Sequence, residues 1–141
     1  MRIIVLCEAN YCRSPVAENF LQSFVGNKVE VLSRGVNDYY KIGMNPLSHS
    51  YLISKGITPK LHKPKVVSKI DINHATKILC MDYRLITVLS SRFGKDKKKF
   101  QLFSKKDIAD PINYDQSHYL EVMQEIERAS LEISNKLLEK I

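Results

Sequence analysis

The chain has 141 residues, 44% of them hydrophobic and 26% charged, a composition typical of one globular domain, residues 1–141, with a sizeable core. No run approaches the roughly 18 apolar residues of a membrane-spanning helix, so we expect no membrane span. The formal net charge of +7 favours an acidic or phosphorylated partner, but the basic residues are dispersed except in residues 95–99, which argues against nucleic-acid binding and predicts a solvated loop there.

The first predicted element is a short buried strand, because residues 3–6 form an uninterrupted apolar run. A helix is predicted at residues 15–24, with proline at its first position and apolar residues at helical spacing. Between them the chain reads CEANYCRS, residues 7–14. A cysteine therefore ends the strand, a loop follows, and Arg13 and Ser14 lead into the helix.

Strands and helices alternate along the rest of the chain. The further predicted strands are residues 29–33, 77–81 and 100–103, and the further predicted helices are residues 46–55, 68–73, 82–93 and 117–140. This alternation predicts an α/β fold with a parallel sheet covered by helices on both faces. Ligand sites in such sheets lie at the carboxyl ends of the strands, which is where Cys7 is placed.

The loop between the first strand and the first helix has the features of an oxyanion site. Successive backbone N–H groups in a tight loop, together with a helix N-terminus, attract an anion. Arg13 can hold two phosphate oxygens with its planar fork. The same positive field favours the thiolate of Cys7, which is then a nucleophile facing the bound phosphate, and Ser14 can donate a hydrogen bond to the sulfur.

At these residues the chain resembles the low-molecular-weight protein tyrosine phosphatase family, and the resemblance covers nearly the whole chain. The family signature is Cys-x-Gly-Asn-x-Cys-Arg-Ser-Pro, and the matching positions are Cys7, Asn10, Cys12, Arg13, Ser14 and Pro15. Ala9 stands where the family usually has glycine, which predicts backbone strain at that position. Glu8 places a carboxylate beside the nucleophile, which predicts repulsion of a phosphate dianion.

The resemblance implies a four-stranded parallel sheet and a cysteine-dependent phosphatase that hydrolyses phosphotyrosine through a phosphocysteine intermediate. It implies a phosphate-binding loop that comprises Glu8, Ala9, Asn10, Tyr11, Cys12 and Ser14. The expected partner is a phosphotyrosine-containing protein, with phosphate or other oxyanions at the loop. We expect no cofactor and no metal, because Arg13 and the loop supply the positive field and the four histidines are scattered.

The general acid must come from outside the loop, and Asp110 is the candidate. It precedes Pro111, which restricts its backbone, and the family carries its acid in an Asp-Pro loop just before the last helix. Asp107 and Asp115 are the next candidates. In the family the segment after the second strand forms a wall of the cleft. That segment carries the candidate cleft walls Tyr39 and Tyr40, and a third candidate, Tyr114, follows the Asp-Pro pair where the family often has aromatic residues.

The three cysteines form an odd set, which argues against a disulfide framework and predicts a reducing, cytoplasmic location. Met1 leads directly into the first strand, so we expect no signal peptide, although secretion by a signal-independent route stays open. Cys7 and Cys12 bracket the loop and are brought close by it. We therefore expect Cys12 to form a protective disulfide with Cys7 after oxidation, or else to pack as a small apolar residue.

Two alternative functions stay open from the sequence. The first is an arsenate reductase on the same fold, a chemistry that passes oxidation along three cysteines. Cys80 ends the third predicted strand near where a second cysteine would be needed, but the helix that follows contains no further cysteine. The second alternative is a catalytically weak module that binds phosphate or phosphotyrosine, because Glu8 and Ala9 depart from the signature.

Overall fold

The structure is a computed structural model that describes all residues, 1–141. Its sheet has four strands: β1 (Arg2–Cys7), β2 (Glu30–Gly35), β3 (Lys77–Cys80) and β4 (Phe100–Leu102). They lie in the order β2-β1-β3-β4, and every pairing is parallel. The predicted four-stranded parallel sheet is confirmed.

Five α-helices connect and flank the strands. They are α1 (Ser14–Val25), α2 (Pro46–Ser54), α3 (Lys69–His74), α4 (Tyr83–Arg92) and α5 (Gln116–Glu139). Four of them begin at a side chain that accepts a backbone N–H of the first turn, as their sequences favour. These caps are Asn45, Ser68, Asp82 and Asp115. None of the helices combines the length and the apolar composition needed to cross a bilayer.

One predicted loop has regular structure. Residues 95–99 were expected to form a solvated loop, but Gly94–Lys99 is a 3₁₀ helix. Its side chains are largely exposed, as expected for a solvated segment. Its backbone is helical, however, and not the irregular loop that the sequence indicates. A short 3₁₀ turn suits this position because it links the end of α4 directly to β4.

The centre of the core is β1, whose residues Ile3, Ile4, Val5 and Leu6 are all fully buried. Successive side chains of a strand point to opposite faces, so complete burial of all four shows that both faces of the sheet are covered. Helices α1 and α5 pack against each other, and α1 packs on β1 and β2. The parallel arrangement places the ends of β1, β2 and β3, at Cys7, Gly35 and Cys80, along one edge of the sheet.

Candidate active site

The segment from Glu8 to Arg13, called here the anion loop, leads from the end of β1 into α1. Its backbone turns at Asn10, which has a φ of 55°, a left-handed conformation that asparagine tolerates better than most residues. Strain was expected at Ala9, and that expectation is wrong because the positive φ belongs to Asn10 and not to Ala9. The alanine is therefore compatible with the shape of the anion loop.

A chain of polar side chains supports the sulfur of Cys7. Cys7 is buried, and its Sγ lies 3.0 Å from Oγ of Ser14. The amide of Asn10 donates to Oγ of Ser14 and to Oγ of Ser33, both at 2.9 Å. Because Ser14 accepts from Asn10, its own hydroxyl proton can be donated to Cys7, which stabilises a thiolate at this position.

Arg13 is the largest fully buried side chain of the protein, with 1% exposure. Its Nη1 donates to Oδ2 of Asp82 at 3.0 Å and to the carbonyl oxygen of Ile108 at 2.7 Å. Burial alone lowers the pKa of this guanidinium, but the negative charges of Cys7, Asp110 and Asp82 outweigh burial and raise the pKa. Both hydrogen bonds use Nη1, so the other edge of the fork is available to an anion.

Asp110 lines the same cavity as the anion loop. Its Oδ2 is 3.8 Å from Nη2 of Arg13, and its Oδ1 accepts the backbone N–H of Ile112 at 3.2 Å. The other two candidate acids have structural roles: Asp107 accepts the N–H of Tyr83 at the start of α4, and Asp115 caps α5. Neither lines the cavity at Cys7. Geometry therefore favours Asp110 over both alternatives.

The anion loop opens into a cavity of about 230 Å³. It is lined by Cys7, Glu8, Ala9, Tyr11, Cys12, Arg13, Tyr39, Lys41, Asp110 and Ile112. A cavity of about 280 Å³ lies between β4 and α5, but it contains no cysteine. Cavity volume therefore does not identify the site, whereas the presence of Cys7 and of the buried cation Arg13 favours the smaller cavity.

Of the three tyrosines predicted as cleft walls, only Tyr39 lines the cavity. Tyr40 is 86% exposed, and Tyr114 packs edge-on against His118 with ring centroids 6.4 Å apart. The hydrophobic walls are instead Tyr11, Tyr39 and Ile112. The local sequence could not show which of these tyrosines line the cavity, because that depends on the direction in which each loop leaves the edge of the sheet.

The model of the low molecular weight phosphotyrosine protein phosphatase family matches residues 2–141. The chain belongs to this family.

Its relatives include both tyrosine and arginine phosphatases. The chain is 27% identical over 139 residues to the low molecular weight protein-tyrosine-phosphatase Etp of Escherichia coli K12, covering 96% of this chain and 93% of Etp. It is 31% identical over 144 residues to a protein-arginine-phosphatase of Geobacillus stearothermophilus, covering 96% and 95%. It is also 25% identical to a solved cysteine-to-serine mutant of YwlE arginine phosphatase with a phosphorylated active-site serine, with a TM-score of 0.90 and coverage of 97% and 95%.

Two residues of this phosphatase site were not identified from the sequence. Asp82 follows β3 and holds Arg13, and Gly35 ends β2 directly against the anion loop. A Cβ at Gly35 would lie 2.9 Å from Ala9 C and Asn10 N, too close for any real contact. Both residues stand at the carboxyl ends of strands that flank β1. Ligand sites lie at this edge of a parallel sheet, so their positions in the sequence could have indicated a role in the site.

The Glu8 carboxylate does not lie free beside the nucleophile. It accepts hydrogen bonds from Nδ2 of Asn37 and from the hydroxyl of Tyr39, both at 2.7 Å, and it pairs with Arg84. Burial raises the pKa of Glu8, but the hydrogen bonds from Tyr39, Asn37 and Arg84 outweigh burial and lower it. Glu8 is therefore a bound, charged group.

The remaining cysteines are free thiols. Cys80 is fully buried, and burial raises its pKa to about 12. Burial likewise raises the pKa of Cys12 to about 11. A thiol relay of the reductase type needs accessible, reactive sulfurs, so the properties of Cys80 do not favour the arsenate reductase alternative.

Proposed function

We propose that this protein hydrolyses phosphotyrosine in protein substrates through a phosphocysteine intermediate. One observation carries the proposal: Cys7 lines a cavity whose walls also present a buried arginine, Arg13, and the carboxyl group of Asp110. A nucleophile, an oxyanion-binding cation and a proton donor thus surround one space. The family membership supports the same chemistry.

In the first step the Cys7 thiolate attacks phosphorus in line with the leaving oxygen. Arg13 and the backbone N–H groups of the anion loop hold the equatorial oxygens, where negative charge is spread in the transition state. Asp110 gives its proton to the leaving oxygen as the P–O bond breaks. The products are the dephosphorylated hydroxyl and phosphocysteine.

In the second step a water molecule attacks phosphorus. Asp110, now a carboxylate, accepts the proton of that water, and the S–P bond breaks. The electron pair returns to Cys7, whose thiolate is stabilised by the hydroxyl of Ser14 at 3.0 Å. Inorganic phosphate leaves, and the enzyme regains its starting protonation state.

The cavity walls favour an aromatic substrate. The rings of Tyr11 and Tyr39 and the side chain of Ile112 line the space in front of Cys7, and apolar walls suit a phenyl ring. Phosphoarginine is the second candidate, because the relative that is 31% identical is named a protein-arginine-phosphatase. In this chain the Glu8 carboxylate that could attract a guanidinium is already bound by Arg84.

The test is a pair of peptides of one sequence that carry either phosphotyrosine or phosphoarginine. We expect a higher kcat/KM for phosphotyrosine, no turnover of either by Cys7→Ser, and severe impairment of Arg13→Lys, because an ammonium cannot reproduce the planar fork. A chelator should leave the rate unchanged.

Turnover by Cys7→Ser equal to that of the wild type would overturn the proposal, and a preference for phosphoarginine would reassign the substrate. Arsenate reduction in the presence of thioredoxin would support the reductase alternative.

The proposed partner is a phosphorylated protein, and the proposed location is the cytoplasm. Three free cysteines support a reducing compartment.

Binding of phosphate without turnover would support the alternative of a binding module. Cys7→Ser or Asp110→Ala protein, used to trap phosphoproteins from the native cell, would identify the substrate.

A further inference from the structure

We propose that Arg84 is a positioning residue that fixes the Glu8 carboxylate and cancels its charge, so that a phosphate dianion can bind beside it. This inference rests on the proposed phosphate site. It assigns a role to an α4 residue that does not line the cavity. It also explains how the anion loop of this chain tolerates an acidic residue directly after its nucleophile.

The contacts of Glu8 use both carboxylate oxygens. Oε1 pairs with Arg84, and Oε2 accepts from Asn37 and from Tyr39. The backbone of Glu8 is fixed as well, since its carbonyl oxygen accepts the N–H groups of Val36 and Asn37 at 3.1 and 3.2 Å. The Glu8 side chain is only 15% exposed, so water screens its negative charge incompletely.

Arg84 makes this contact from a distant part of the chain, 76 residues after Glu8. Its own side chain is 58% exposed, and an ion pair with one exposed partner adds little to folding stability. The pair can still act strongly on a bound anion. Without Arg84, the Glu8 carboxylate, which lines the same cavity, would lose its ion-pair partner, and its negative charge would repel a bound phosphate.

A second arginine of α4 offers a matched control. Arg92 donates to the carbonyl oxygen of Val36 and to Oδ1 of Asn37, so it holds the segment that directly follows β2 and that also supplies Asn37 to Glu8. Arg92 forms neither a hydrogen bond nor an ion pair with Glu8, whereas Arg84 forms both. Loss of Arg92 therefore removes a support of Val36 and Asn37 but leaves the ion pair between Glu8 and Arg84 in place.

The experiment measures binding of inorganic phosphate by calorimetry, which does not depend on turnover. We expect Arg84→Met to weaken binding by roughly tenfold at low salt, and less as ionic strength rises. The double variant Glu8→Gln/Arg84→Met should return to within about twofold of Glu8→Gln alone, because the charge that Arg84 compensates is gone. Arg92→Met should bind phosphate as the wild type does.

Three outcomes would overturn the inference. They are wild-type affinity in Arg84→Met, an equal loss in the single and double Arg84 variants, or a loss in Arg92→Met as large as that in Arg84→Met. The last two would mean that Arg84 only supports local structure. Failure of the proposed function looks different, because the wild type itself would then fail to hydrolyse aryl phosphates, whether or not it binds phosphate.

Discussion

Asp82 joins two functions in one side chain: its Oδ2 lies 3.0 Å from Nη1 of Arg13, and its Oδ1 accepts the N–H of Leu85 at the start of α4. The orientation of the buried guanidinium is therefore tied to the cap of a helix. Asp82→Ala removes both functions, whereas Asp82→Asn keeps a good cap and removes the charge.

We expect Asp82→Ala to lose about 1 kcal/mol of unfolding free energy through the cap and to show a lower kcat/KM. Asp82→Asn should keep most of the stability but still show the lower kcat/KM, because Arg13 loses its charged partner. Denaturant unfolding and steady-state kinetics on the same preparations measure the two effects. Full activity in Asp82→Asn would show that Arg13 needs no charged partner at position 82.

The role of Asp110 can be tested by varying the leaving group. We expect Asp110→Asn to reduce the rate of the chemical step by about 100-fold or more for substrates with poor leaving groups. For an activated aryl phosphate the loss should be much smaller, because its leaving oxygen needs no proton in the transition state. Single-turnover rates over a series of substituted phenyl phosphates provide the measurement. A uniform loss over the series would move the proton donor to another residue.

Gly35 provides a steric test of the anion loop. Its φ is not in the left-handed region, so the effect of Gly35→Ala comes from contact with the backbone of Ala9 and Asn10. We expect kcat/KM to fall, by up to about 100-fold, because the loop must shift away from its productive geometry. The control is Gly94→Ala, where a Cβ would meet nothing within 4 Å. Equal activities of the two variants would contradict the prediction.

Cys12 is predicted to protect Cys7 from irreversible oxidation. Peroxide would convert the Cys7 thiolate to a sulfenic acid, and the Cys12 thiol, which unlike Cys80 lines the same cavity as Cys7, could condense with it, releasing water and forming a disulfide. We expect dithiothreitol to restore peroxide-treated wild type but not Cys12→Ser, with Cys80→Ser as a control that recovers like the wild type. Bound phosphate should slow inactivation in all three. Full recovery of Cys12→Ser would make Cys12 a packing residue only, and a Cys7–Cys80 bridge detected by mass spectrometry would support the reductase alternative.

The sequence predicted the order of strands and helices well, because local periodicity and capping residues determine those elements. Asn45, Ser68 and Asp82 mark helix starts both in the sequence and in the structure. The anion loop was equally visible, since its residues are contiguous. The catalytic role of Asp110 stays a prediction, supported by the cavity that it shares with Cys7.

The long-range contacts of the site could not be predicted from local patterns. Arg13 meets Asp82 across 69 residues, and Glu8 meets Arg84 across 76. Such pairs depend on which strands become neighbours, and periodicity does not encode that order. For the same reason the sequence indicated repulsion at Glu8, whereas the folded chain supplies a cation beside it.

The central place of β1 in the sheet has a consequence for synthesis on the ribosome. Cys7 and the anion loop emerge first, but β1 needs β3 as a neighbour, and Arg13 needs Asp82 and the carbonyl of Ile108. Until those residues have left the exit tunnel, β1 and Arg13 of the nascent chain lack these partners. On the proposed mechanism, the nucleophilic site is therefore assembled only when most of the polypeptide is complete, and we expect truncated products released earlier to carry no phosphatase activity.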